Sequence, residues 1–199
     1  GYDANIMTRY AEYERITNET SISVAVDIDG KGEYNIDTGI AFMDHLIASF
    51  ARHSLIDLKL KGISKDNIKH HLIEDTAIAL AIALDKALAS RDGIERFGYA
   101  IVPMDDALTI AAVDLVKRTY CNIDLKIARD SIEDISREDI EHFFNSFAKN
   151  LNACIHVIVQ YGSNDHHKIE SAFKALAIAL RNAMNINPSK SVASTKGVL

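Results

Sequence analysis

His70-His71-Leu72-Ile73-Glu74-Asp75 is the stretch on which the fold turns, because it recurs near the other end of the chain as His166-His167-Lys168-Ile169-Glu170. Each copy opens a strongly apolar run: Thr76-Ala77-Ile78-Ala79-Leu80-Ala81-Ile82-Ala83-Leu84 after the first, Ala172-Phe173-Lys174-Ala175-Leu176-Ala177-Ile178-Ala179-Leu180 after the second. Alanine and leucine at that density read as a buried helix. Successive helical residues turn by about 100°, so the paired imidazoles point in different directions while the glutamate falls near one of them. One helix start can therefore serve two cations. A single pair of this kind is more often a packing feature than a metal site, but an accident has no reason to recur with the same carboxylate at the same offset.

Working outward, the segments around the two copies repeat as well. Residues 8–16 and 21–29 read as strands, the second alternating Ile22, Val24, Val26 and Ile28; Asp29-Gly30-Lys31-Gly32 is a turn signal, and residues 33–37 return as a third strand to make a hairpin. A helix over 40–53, a strand over 55–60 and the first histidine helix to about residue 90 follow, ended by Arg91-Asp92-Gly93. The second half gives strands at 97–102, 107–115 and 120–127, a helix at 137–150, a strand at 153–160 and the second histidine helix to about 184. The order strand, strand, strand, helix, strand, helix occurs twice. A repeat of roughly 95 residues is too long for a solenoid unit and predicts two homologous half-domains. The expected division is 1–93 and 94–187, with a C-terminal tail over 188–199.

The repeat exposes a further match. His45 stands 25 residues before His70, and His142 stands 24 before His166, each in the shorter helix of its half. Each half thus supplies three histidines and a glutamate: His45, His70, His71, Glu74 and His142, His166, His167, Glu170. Eight candidates divide into two sites of three imidazoles and one carboxylate, a donor set suited to manganese, iron or zinc, with positions left open for water or substrate. Of the eight histidines only His53 and His156 fall outside the set. His156 alternates with apolar residues in a strand, and His53 ends a helix, where a partly charged imidazole would meet the negative end of the dipole.

Composition bounds the rest. With 199 residues, 48% of them apolar, the chain has enough material for a normal globular core, and no run approaches the roughly 20 apolar residues needed to span a bilayer. The polar N-terminus has no signal-peptide pattern, so a cytoplasmic protein is expected. Cys121 and Cys154 lack the spacing of a zinc knuckle or redox motif and read as reduced, structural thiols. A net charge of −6 and a pI near 5.7 argue against nucleic acid or an anionic membrane as partner. A small anionic substrate needs only a few converging basic residues: Arg96, Arg118 and Lys174 are candidates, Lys174 lying one turn beyond Glu170 on the metal-facing side of its helix. After Ile186-Asn187-Pro188 periodicity is lost, and Ser194-Thr195-Lys196-Gly197-Val198-Leu199 reads either as a frayed end or as a segment that wraps an anion.

Several ordered motifs together carry a resemblance. Gly39-Ile40-Ala41-Phe42-Met43-Asp44-His45, the two histidine pairs, Pro103-Met104-Asp105-Asp106-Ala107-Leu108, His142-Phe143-Phe144 and the Ser194–Leu199 terminus closely resemble the imidazoleglycerol-phosphate dehydratase family, over essentially the whole chain from about Arg9. The resemblance implies an α+β fold of two half-domains, each a four-stranded sheet with helices on one face, of the ribosomal protein S5 domain 2-like type. It implies a homo-oligomeric shell of 24 subunits with active sites between neighbours. It also implies a hydro-lyase with two Mn2+ per site that converts D-erythro-imidazole glycerol phosphate to imidazole acetol phosphate in L-histidine biosynthesis, through a bound imidazolate and a diazafulvene. The family's ligands fall on the eight residues above, its acid/base glutamate on Glu19, and its phosphate-binding groups on Arg96, Arg118, Lys174, Ser194, Thr195 and Lys196.

Departures from the family pattern are Lys69 for an aspartate before the first pair, with an expected effect on the groups that orient His70; Ser49 for a substrate-binding glutamine; and Lys117-Arg118-Thr119-Tyr120 for Gly-Arg-Pro-Tyr. Two rival readings of the residues are a dinuclear metallohydrolase of a small phosphate ester, recognised by phosphate release, and a non-catalytic metal-binding shell protein, which has no need of Glu19.

Overall fold

A computed structural model describes residues 8–191. In the first half, β1 (Tyr10–Ile16), β2 (Thr20–Asp27), β3 (Tyr34–Asp37), α1 (Ala41–Ser54), β4 (Asp57–Ser64) and α2 (Lys69–Leu88) follow one another. The second half repeats the order with β5 (Phe97–Met104), β6 (Ala107–Asp114), β7 (Tyr120–Asp124), a short hairpin of β8 (Ser131–Ile132) and β9 (Ile135–Ser136), α3 (Arg137–Leu151), β10 (Cys154–Tyr161) and α4 (Asp165–Met184). A turn of helix, α5 (Pro188–Ser191), ends the described chain. Both four-stranded sheets have the same spatial order, β1-β2-β4-β3 and β5-β6-β10-β7, so the duplication read from the histidine pairs is a duplication of topology.

The sheets correct one expectation. β3 does not form a hairpin with β2; it lies parallel to β4, which itself pairs antiparallel with β2 along eight residues. Leu58 and Leu60 of β4 are buried on the same face as Ile22, Val24 and Val26, a match that only the longer strand can make. β3 exposes Tyr34 and Asn35 and takes the sheet edge. The Asp29–Gly32 turn is real but folds over the start of β4, where the Asp57 carboxylate accepts from the N–H groups of Lys31 and Glu33.

Helices join the halves. α1 packs on α4 and α2 on α3, each pair drawing one helix from each half, and a single buried cluster runs through both. Alanines at 77, 79, 81, 83 and 87 let α2 sit close to its sheet, as those at 172, 175, 177, 179 and 183 do for α4. Where β5 crosses α4, a Cβ on Gly98 would lie 1.9 Å from the Ala179 carbonyl, so only glycine permits that approach.

The junction is fastened by Arg91, whose side chain is fully buried. Its guanidinium donates to the Leu115, Leu151 and Asn152 carbonyls and to Asp85, tying the end of α2 to the end of β6 and to the C-terminal carbonyls of α3. A cation is well placed there, because the last carbonyls of a helix lack intrahelical partners and carry its negative pole. No helix among the described residues is long and apolar enough to cross a membrane.

Candidate active site

The packing of helices across the halves decides where the histidines meet. His45 at the start of α1 reaches Glu170 of α4, its Nε2 in short contact with Oε1, and His166 Nε2 lies 3.4 Å from the same oxygen. On α2, His70 Nε2 is 3.3 Å from Glu74, and the ring of His142, from α3, stands edge-on to His70 at 5.3 Å. The clusters cross the halves: the first half lends His45 to the second, and the second lends His142 to the first. The eight candidates also do not all converge within one chain. His71 and His167 turn aside by the helical rotation, their rings 6.0 and 6.4 Å from those of His70 and His166.

Carboxylates hold four of these rings by Nδ1: Asp139 on His70, Asp66 on His71 and Asp106 on His167, each at 2.6 Å, and Glu133 on His166 at 3.2 Å. Hydrogen bonds to Asp139, Asp66 and Asp106 raise the pKa of His70, His71 and His167 respectively above the ordinary histidine value, outweighing the effect of burial. Reciprocally, the His167 bond and the N–H groups of Asn164 and Ser163 hold Asp106 far below the carboxylate range. Burial pushes Glu170 up, but its bonds to His45 and His166 prevail and hold it below its usual value. An imidazole that donates from Nδ1 to a carboxylate presents a fixed, basic Nε2, which is the arrangement that metal-binding histidines use. The donor set of Nε2 atoms and buried carboxylate therefore fits a borderline divalent cation.

Sequence reasoning passed over these four carboxylates. Asp66 stands five residues before His71, and Asp106 lies in the turn before β6; neither spacing is a metal signature. Glu133 sits at the tip of the β8–β9 hairpin, an element without a sequence signal, whose neighbour Asp134 also binds the Phe42 N–H and the Lys69 ammonium. Lys69 instead donates to the Asp134 carbonyl, and Asp139 holds His70.

Glu19 occupies the turn between β1 and β2, exposed, with its carboxylate 3.5 Å from His71 Nδ1. Thr17 Oγ1 accepts from the Glu19 and Thr20 N–H groups, and Thr20 and Arg15 both bind the buried Asp75 of α2, which fixes that turn to the histidine helix. The basic candidates are elsewhere. Arg96 pairs with Asp114 at 2.8 Å, and Arg118 is exposed in the turn after β6. Asp106 and Asp114 bracket β6, so the Arg96 pair lies about 25 Å along that strand from His167. Lys174 is half-buried one turn beyond Glu170, its ammonium against Met104. Ser194, Thr195 and Lys196 lie outside the described residues.

Three other readings resolve here. Burial, then the charges of Lys174, Arg52 and Arg181, lower the His53 pKa, which opposes the stabilisation that a helix end gives a partly charged imidazole. Ser49 is inward-facing and its hydroxyl has no hydrogen-bond partner. Cys121 and Cys154 are free thiols on neighbouring strands, and burial pushes Cys121 up to about 11, which leaves it inert.

A duplicated α+β scaffold with imidazole–carboxylate clusters crossing between its halves defines a class: proteins that bind divalent cations at open, histidine-rich sites. Comparison with known proteins makes the assignment particular. Residues 38–180 match the imidazoleglycerol-phosphate dehydratase family, and the chain belongs to that family. A Chloroherpeton thalassium protein named imidazoleglycerol-phosphate dehydratase is 45% identical over 96% of this chain and 98% of its own length, and one from Salinibacter ruber is 45% identical over 96% of each. The crystal structure of the Pyrococcus furiosus family member, in complex with (S)-C348, is 37% identical and covers 94% of this chain and all of its own, with a TM-score of 0.81.

Proposed function

We propose that this chain dehydrates imidazole glycerol phosphate to imidazole acetol phosphate in histidine biosynthesis, in the cytoplasm, with the crossed histidine clusters holding two manganese ions and Glu19 as the acid/base group. The observation that carries the reading is the disposition of imidazole nitrogens: His70, His71, His166 and His167 all spend Nδ1 on a carboxylate and leave Nε2 for a cation. When bound, such cations supply the positive charge that keeps the substrate's imidazole ring deprotonated and electron-rich. Glu19, exposed beside His71, is the group proposed to protonate the departing hydroxyl and to take the proton from the neighbouring carbon.

Arg96, Arg118, Lys174, Ser194, Thr195 and Lys196 are proposed to bind the phosphate and so fix the ring and the carbon chain against their reacting groups. Because Arg96 lies about 25 Å along β6 from His167, it serves the centre of a neighbouring copy rather than its own. His71 and His167, turned out of the intrachain clusters, are shared in the same way. These groups are proposed to meet in a homo-oligomeric shell, 24 subunits by resemblance, with residues 1–93 and 94–187 as half-domains and 188–199 as a substrate-binding tail.

Metal analysis combined with a dehydration assay on imidazole glycerol phosphate, with and without chelator, tests the proposal. Two manganese ions per chain and chelator-sensitive formation of the acetol phosphate are expected. Release of inorganic phosphate instead would point to a hydrolase.

A further inference from the structure

The two halves treat their outward histidines differently, and the difference falls on Glu19. Glu19 immediately precedes β2 and Asp106 immediately precedes β6, strands that hold the same place in their sheets, so the two carboxylates are quasi-equivalent. In the second half Asp106 is committed: it takes the Nδ1 proton of His167 at 2.6 Å and the N–H groups of Ser163 and Asn164. In the first half Glu19 stands back at 3.5 Å, and the Nδ1 proton of His71 goes to Asp66 at 2.6 Å.

Asp66 has no counterpart in the other half. Five residues before His167 the chain has Gly162, where even a Cβ would press on Ala107 and Lys168 at 3.0 and 3.1 Å. Asp66, in contrast, is fixed in its loop, its Oδ1 accepting from the Ile68 N–H while Oδ2 faces the imidazole. Glu19, Asp66 and His71 lie close enough together for a cation, but the ring presents its bonded Nδ1 to that trio, so the three read as a hydrogen-bonded imidazole with one carboxylate to spare.

We propose that Asp66 is a positioning residue that keeps Glu19 free: by occupying Nδ1 of His71, it prevents Glu19 from collapsing onto that ring as Asp106 has onto His167. The inference rests on the reading of Glu19 as acid/base group. A carboxylate engaged by an imidazole N–H is poorly placed to exchange protons with a substrate, and a charge-assisted bond is the stronger alternative wherever the donor is unclaimed. Duplication thus leaves one half with a committed carboxylate and the other with a working one, and Asp66 makes the difference.

The test uses Asp66→Asn, in which Oδ1 can keep the Ile68 bond while an amide N–H group faces the ring, and Asp66→Gly, which copies the second half. Both variants are expected to lower kcat roughly ten- to hundred-fold, the range found for groups that orient metal-site imidazoles. KM should stay within about twofold, since only a transition-state contact is lost. Combined with Glu19→Gln, either variant should be no slower than Glu19→Gln alone. In a crystal structure of metal-free Asp66→Gly, the Glu19 carboxylate is expected within about 2.8 Å of His71 Nδ1. Glu19 left in its present place in that structure, or losses that multiply in the double variants, would overturn the inference. Full turnover by Glu19→Gln alone would instead remove the acid/base reading of Glu19, while the position of Glu19 in the variant structure still decides whether Asp66 holds it off.

Discussion

His45 and Glu170 come from opposite halves of the chain and meet where α1 packs on α4, with the carboxylate buried and the imidazole at the surface. Neither half-domain can complete that cluster alone, so its geometry depends on the docking of the halves.

Replacement of one partner should therefore disable the whole cluster. Glu170→Gln is expected to weaken manganese binding by more than about a hundredfold, beyond the ten- to hundred-fold typical of groups that only orient a ligand. Isothermal titration of the chelator-treated protein measures it, and unchanged binding would exclude Glu170 as a ligand.

Asp139 offers a contrast with Lys69. Asp139→Asn removes the negative charge that His70 Nδ1 faces and should cost roughly ten- to hundred-fold in manganese affinity. Lys69→Ala breaks only a bond to the Asp134 carbonyl and should leave that affinity unchanged. Equal effects from the two variants in the same titration would show that Asp139 has no particular hold on the ring.

The pairs Asp66–His71 and Asp106–His167 set a pH dependence whose sign differs with and without metal. Each imidazole is raised above 6.5 and each carboxylate held below 3.8, so in the metal-free protein the pairs stabilise the fold fully between about pH 4 and 6.5. That contribution is lost as pH rises through the raised histidine values, or falls through the depressed aspartate values. A cation needs neutral imidazole, so manganese affinity should move the opposite way and climb above pH 6.5. Thermal melting of the metal-free protein across that range, beside manganese titrations at each pH, checks both slopes; parallel slopes would contradict the assignment.

Arg91 should matter for stability and not for chemistry. Arg91→Ala leaves the Leu115, Leu151 and Asn152 carbonyls without their donor, while Asp85, 39% exposed, is solvated, so the cost should be about 1–3 kcal/mol. Urea unfolding gives the value. A loss under about 1 kcal/mol would mean that water replaces the guanidinium.

Much of this architecture was legible because it is written twice. The histidine pairs, their apolar helices and the offsets to His45 and His142 repeat to within one residue, and repetition identified both the fold class and the candidate ligands. Partner choice was not legible. That β4 displaces β3 beside β2 depends on strand length and on the burial of Leu58 and Leu60, which compete across the sheet. That His45 belongs with Glu170 follows from helix packing between halves, which a periodic pattern does not encode. Asp66, Asp106, Asp139 and Glu133 reach their imidazoles from separate loops and a helix start, and only folding makes them neighbours.

The central claim is that dehydration depends on cations held by these histidine clusters. Chelator-stripped protein, assayed for imidazole acetol phosphate before and after manganese is restored, addresses it most directly. No turnover is expected from stripped protein, and full turnover on restoration. Undiminished turnover by protein shown to be metal-free would contradict it.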